Sequence, residues 1–188
     1  MYHDLGKMNS PEMFSENQGK KNPHDDIDTD ISYQIITRHV GDTILLLLNN
    51  IEDFEEKYKL MQIISQHHGN TVLRYFFNKS GIDNEDLYRY KSVQPQSIEA
   101  AVLMLCDSVE ATARSLASNS ELEKPEDRRQ VVNTNVDRLM QDGQLDDIKV
   151  GELKKIKAVL YKELENMYHK RESYGDEKDE KSSDDIKI

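Results

Sequence analysis

The residues of this chain with chemical potential are imidazoles and carboxylates standing where apolar side chains are expected. Asp107 follows the apolar run 100–106, one turn after Leu103 and Met104 and one turn before Ala111. An ionised carboxylate there needs a partner, because an isolated buried charge costs several kcal/mol. His39 continues the stripe of Ile35 and Ile36, His67 continues that of Ile63 and Ile64 with His68 beside it, and His3 abuts Asp4. A single histidine on an apolar helix face is ordinarily a hydrogen-bonded core residue, and a single aspartate more often pairs with arginine or caps a helix. Taken together, the same groups are also the donor set that iron, manganese or zinc accepts. Spacing alone leaves both readings standing. The adjacent pair His67-His68 cannot point to one side of a regular helix. It either ends its helix at Gly69, where both rings can reach one pocket, or its members serve different purposes.

Helices must position these groups. The first thirty residues read as polar and loop-like, with His24 ordering its own turn, and Asp28 or Asp30 is placed to cap the helix that follows. Ile31, Ile35, Ile36, His39 and Val40 recur at helical spacing. Gly41-Asp42 is expected to interrupt that helix, with helices at 43–58 and 59–68 beyond it. The leucines at 45–48 read as core, and Gly69 as a C-terminal stop. A short apolar helix at 71–78 and a loop at 80–95 follow. The span 96–117 is the strongest helix, apolar on all sides around 100–106, hence central and buried, with Cys106 as one of its small hydrophobes. Pro125 suits the first turn of a helix reaching Met140, with Asp142-Gly143 ending it, and a last amphipathic helix covers 149–169. The acidic stretch after Gly175 is expected to be disordered. No alternating strand pattern is convincing, so the fold class is all-α.

Composition narrows the function. A length of 188 residues suits one domain. Lys and Arg total 25 against 36 Asp and Glu, a net charge of −11, which disfavours a grip on a nucleic-acid polymer. A small phosphorylated ligand stays possible where a metal supplies positive charge locally. The single Cys excludes an intrachain disulfide and a cysteine-built zinc site. The longest wholly apolar runs, 100–106 and 44–48, fall far short of the ~20 residues of a membrane helix. His3 and Asp4 stand where a signal peptide would be basic and then apolar. The expectation is a soluble, cytoplasmic chain.

The residues also match a family. Tyr2-His3-Asp4-Leu5-Gly6-Lys7 resembles the signature of the HD-domain metal-dependent phosphohydrolases. More narrowly, the chain resembles the cytoplasmic HD domain of the seven-transmembrane-HD, PgpH-type cyclic di-AMP phosphodiesterases. The resemblance runs through Asn22-Pro23-His24-Asp25, Arg38-His39-Val40, Gln66-His67-His68-Gly69, Tyr88-Arg89-Tyr90 and Asp107-Ser108-Val109-Glu110-Ala111 to Asp142-Gly143-Gln144-Leu145-Asp146. The related cyclic di-GMP branch carries Gly-Tyr-Pro after its paired histidines, whereas Gly69-Asn70-Thr71 stands here.

The resemblance implies an HD-domain helical bundle over residues 1–172 that lacks its opening helices; the acidic tail at 173–188, expected to be disordered, lies outside it. It implies two divalent ions, manganese or iron, with ligands from His3, Asp4, His39, His67, His68 and Asp107. Asp4 would bridge, His3 and Asp107 would serve one ion, and His39, His67 and His68 the other. A metal-bridging hydroxide would attack cyclic di-AMP to give linear pApA, with Lys7 contacting phosphate. The implied partner is a small cyclic dinucleotide, and the family is anchored to the membrane by segments this chain does not contain. The family's first ligand, a histidine on an earlier helix, has no counterpart, since only Met1 and Tyr2 precede His3. The chain is thus expected to correspond to the later part of a longer protein. Two other readings are a catalytically impaired HD domain that binds a nucleotide or a partner helix, and an HD nucleotidase acting on a mononucleotide.

Overall fold

Side chains start the helices near the sites of chemical interest. Asp28 Oδ1 accepts from the backbone N–H groups of Asp30 at 2.9 Å and Ile31 at 3.3 Å, satisfying donors that a helix start leaves open. This begins α1 (Thr29–Asn50). Asp53 does the same for α2 (Phe54–Gln66), accepting from Glu56 N at 2.7 Å. The computed structural model describes residues 2–19 and 21–179, with side chains as far as residue 168. It continues with α3 (Arg74–Ser80), α4 (Ile98–Ser118), α5 (Pro125–Gln141) and α6 (Val150–Asp179). Short 3-10 turns lie at Leu5–Asn9, Pro11–Met13, Ser15–Asn17, Pro23–Asp25 and Glu85–Tyr88. Among the described residues the only strand-like pairing is an isolated antiparallel bridge of Val72 with Arg89, so the fold is all-α. No helix among them is long and apolar enough to cross a membrane.

Four sequence expectations need correction. Helix α1 runs unbroken through Gly41-Asp42. A helical glycine costs only about 1 kcal/mol, and Asp42 is held by Arg38 Nε at 3.2 Å one turn before it. The break falls instead at Ile51, Glu52 and Asp53. The leucine run is not core as a block: Leu47 is buried, but Leu45, Leu46 and Leu48 are exposed, because four consecutive residues of a helix cannot share one face. Helix α4 likewise buries a stripe, Ala100, Ala101, Met104, Leu105, Val109 and Ala113, and leaves Cys106 exposed. The Cys106 thiol is pushed up by partial desolvation and by the charge of Asp107, the opposite of activation. His24 does more than order a turn. Asn22 caps it, and its ring is buried with Nε2 2.8 Å from the Met13 carbonyl.

The chain divides into two compact units, Met1–Met104 with Met140–Ile148, and Leu105–Leu139 with Lys149–Ile188. In the second, Val131, Val132, Val136 and Leu139 of α5 are buried, as are Leu153, Ile156, Leu160, Leu164 and Tyr168 of α6. Buried Arg128 donates there to the carbonyls of Leu122 and Glu123 and to Glu165 at 3.3 Å. Helix α6 passes the expected end near 169 and stays helical to Asp179. Residues 180–188, most of the acidic stretch expected to be disordered, lie outside the described residues.

In the first unit the turn Leu5–Asn9 lies directly on α1. Gly6 N donates to Thr43 Oγ1 at 2.8 Å, Thr43 Oγ1 donates to the His39 carbonyl at 2.9 Å, and Asn9 Nδ2 donates to Asp42 at 2.8 Å. A Cβ on Gly6 would stand 2.0 Å from the His39 carbonyl oxygen and 2.8 Å from Thr43 N. Both obstacles are backbone and cannot swing aside. Gly6→Ala should therefore lower stability by about 3 kcal/mol, the upper end of overpacking costs, read as the shift in urea midpoint. A variant as stable as the parent would show that this turn does not seat on α1 as described.

Candidate metal centre

Two histidines arrive with their orientation fixed by their own helices. His39 Nδ1 lies 2.5 Å from the Ile36 carbonyl, and His67 Nδ1 lies 2.6 Å from that of Ile64. A carbonyl only accepts, so Nδ1 carries the proton in each ring and Nε2 points inward. Both side chains are buried, at 1% and 0% exposure. His67 is the C-terminal cap of α2, and Gly69 at φ +54° turns the chain sharply after the doublet. With the helix ended there, His67 and His68 reach one pocket, their ring centroids 3.9 Å apart.

His68 Nε2 lies 3.2 Å from His39 Nε2. With the His39 proton on Nδ1, His68 must donate across this contact in the metal-free chain. A cation between them would take both lone pairs instead. Tyr90 stacks on His68 at 4.4 Å with a 20° interplanar angle, and Phe14 meets His39 edge-on at 5.6 Å. Burial, then the neighbouring His67 and His39, push the His68 imidazole well below its usual range, with Lys7 adding to them and Asp4 opposing. A ring kept neutral in this way is available as a ligand.

Asp4 stands at the centre. Its Oδ2 meets Lys7 Nζ at 2.9 Å and His3 Nε2 at 3.2 Å. Its Oδ1 is buried without a hydrogen-bond partner among the described residues. It faces His39 Nε2 at 3.4 Å and His67 Nε2 at 3.8 Å, beyond the usual lengths of a hydrogen bond. Burial alone would raise the Asp4 carboxyl, but His3, His39 and Lys7 outweigh it and hold the group well below the usual carboxylate range. Lys7 also pairs with Glu16 at 2.7 Å and lies 5.2 Å above the Phe14 ring. Burial depresses its ammonium, and Asp4 and Glu16 more than restore it.

Asp4, His39, His67 and His68 each offer one ligand atom, all within 4.8 Å of one another. Converging imidazole nitrogens and an orphaned carboxylate oxygen are the arrangement a divalent cation completes, and the donor chemistry suits a borderline first-row ion. His3 joins this group through Asp4 and through its ring, 5.1 Å from that of His67. Asp107 sits half-buried on α4 in the second unit. Beside His68 a cavity of about 770 Å³ is lined by Thr37, Arg38, Leu45, Tyr90 and Lys91 among others. Sequence reasoning missed Glu16 and Tyr90 as parts of the site. Glu16 sits in an aperiodic polar stretch, Phe14-Ser15-Glu16-Asn17-Gln18, whose resemblance to the family carries no role for it at the site. Tyr90 is placed by the pairing of 71–73 with 88–90, where Leu73 N donates to the Tyr88 carbonyl at 2.9 Å and Tyr90 N to that of Thr71 at 3.0 Å.

Comparison with known proteins identifies the family. The sequence model of the HD domain family matches residues 1–112, and the chain belongs to that family. It is 34% identical over 180 residues to the cyclic-di-AMP phosphodiesterase PgpH of Bacillus subtilis, an alignment covering 92% of this chain and 24% of the relative. It is 36% identical over 185 residues to PgpH of Listeria monocytogenes, covering 95% and 25%. The chain thus spans about a quarter of the length of these curated relatives. The crystal structure of the L. monocytogenes PgpH HD domain in complex with cyclic-di-AMP superposes with a TM-score of 0.78 at 34% identity, covering 89% of this chain and 77% of that one.

The His68 environment sets a pH dependence. Its folded-state pKa lies below the unfolded value of 6.5, so below that pH the unfolded chain gains a proton the folded chain refuses. Stability of the metal-free chain should be level above about pH 7 and fall as pH drops below 6.5, by at most about 1.4 kcal/mol per pH unit for one proton. Urea midpoints in the presence of a chelator measure this. His68→Gln should flatten the slope; an unchanged slope would place the effect elsewhere.

Proposed function

We propose that this chain is the catalytic domain of a metal-dependent phosphodiesterase that opens cyclic di-AMP to linear pApA. The single observation that supports the reading most is the convergence of Asp4, His39, His67 and His68 on one point. The relatives named for this activity, and the structural neighbour that binds cyclic-di-AMP, supply the substrate. Manganese or iron is the proposed ion, held by these four residues together with His3, and Asp107 is the proposed additional carboxylate ligand. When bound, such ions polarise a phosphodiester and bring the pKa of a coordinated water close to neutral.

The chain's own residues would do the rest. Asp4, held ionised, orients the centre, and the Nδ1–H bonds of His39 and His67 to their own helices keep both Nε2 atoms aimed without reorganisation. Lys7 balances Asp4 and presents positive charge to the phosphate. Water adds across the phosphodiester: its oxygen bonds to phosphorus, the bond from phosphorus to the ribose 3′ oxygen breaks, and that oxygen takes up a proton. The cavity beside His68 is available to a nucleoside portion, with Tyr90 offering an aromatic wall and Arg38 and Lys91 positive charge.

The test is chromatographic. Metal-loaded chain should convert cyclic di-AMP to pApA, and Asp4→Ala should abolish turnover. Lys7→Met should lower kcat/KM by about 10²-fold, the size expected when one charged contact to a developing anion is lost. Calorimetric binding of cyclic di-AMP with no product under manganese or iron would replace this reading with that of a binding module, and turnover of mononucleotides alone with that of a nucleotidase.

A further inference from the structure

The His67-His68 doublet needs more than its own helix to hold it, because both residues lie past the last turn of α2, where the backbone bends at Gly69. Gln144 fills the inside of that bend. It is wholly buried, and a Cβ added to Gly69 would lie 2.2 Å from its Oε1. Oε1 accepts from Asn70 N at 3.2 Å, while Nε2 donates to Asn70 Oδ1 at 2.6 Å and to Asp142 Oδ2 at 3.0 Å. Arg89 closes the circuit, donating from Nη1 to the Asn70 carbonyl at 2.9 Å and to Asp142 Oδ1 at 3.1 Å. Arg89 is itself fixed by Glu85 and by Asp86 at 3.2 Å. On the far side of the turn, Thr71 Oγ1 donates to the His68 carbonyl at 2.8 Å.

The amide is chemically matched to this place. One acceptor and two donors are all used, which neither a carboxylate nor an apolar side chain of that size can reproduce. Gly143 at φ +71° turns the chain just before Gln144, with buried Leu145 and Ile148 anchoring the segment, which belongs to the first unit. We propose that Gln144, within the hydrogen-bonded circuit Asn70–Arg89–Asp142–Gln144, is a positioning residue that fixes where the His67 and His68 rings point. As a statement about metal affinity this rests on reading the doublet as ligands; as a statement about ring placement it does not.

Two measurements on the 188-residue chain separate these. The first follows the ring nitrogen resonances of His67 and His68 by NMR in metal-free protein. The second measures Mn2+ affinity calorimetrically at a temperature where each variant is fully folded. Gln144→Met should shift or multiply the ring signals and weaken Mn2+ binding by about 10- to 100-fold, the range for lost outer partners of metal ligands. Asn70→Ala, at a partly exposed position, should do the same to a smaller degree and decides the matter if Gln144→Met does not fold. Phe76→Leu, a core change on α3, controls for general loss of stability and should leave both readouts within about threefold of the parent. Ring signals unchanged in the Gln144 or Asn70 variant overturn the proposal whatever the metal does. Shifted signals in a chain that never binds Mn2+ sustain the positioning role and remove the ligand reading instead.

Discussion

A carboxylate carried into a pocket walled by imidazole rings is the constraint around which the first unit is arranged. Asp4 remains ionised there because Lys7 and His3 compensate it at Oδ2, while Oδ1 faces the Nε2 atoms of His39 and His67. A buried charge stripped of such partners costs several kcal/mol. The same compensation accounts for Lys7, whose ammonium keeps its charge in spite of burial because Asp4 and Glu16 flank it. Removing any one of these groups leaves its partners uncompensated, so the cluster is energetically a unit.

Geometry at the centre is inherited from secondary structure with few intermediaries. Two rings hydrogen-bond to carbonyls three residues earlier on their own helices, so the direction of each ligand atom follows from the helix axis. The turn bearing Asp4 is seated on α1 by a main-chain N–H to Thr43 and by Asn9 to Asp42. The doublet is carried past a helix end and backed by polar side chains from distant segments. Together these devices bring residues 4, 39, 67 and 68 together without a long flexible side chain among them.

Much of this was legible in the sequence. The anomalous polarity of His39 and His67 on isoleucine stripes located both, and Gly69 after a histidine pair pointed to a helix end that shares one pocket. Asp28 and Asp30 were both readable as caps from type and place, and the helix uses Asp28. What was not legible has physical causes. Gly41 suggested a break because propensity was weighed alone, whereas the packing of Asp42 and Thr43 against the turn carrying Gly6 holds the helix together there. The leucines at 45–48 read as core because composition does not say which sides of a helix have neighbours. Glu16 and Tyr90 reach the site through tertiary contacts alone, with no periodicity to betray them.

The contact between Gly6 and α1 has a consequence for how such proteins are compared. The register between the loop that bears Asp4 and the helix that bears His39 is set by main chain meeting main chain, with no room for one extra methyl group. A relative could retain every titratable residue of the centre and still be silent because alanine stands where this chain has glycine. Inventories that score only the ligating side chains would count that relative as competent, and position 6 is where they would go wrong.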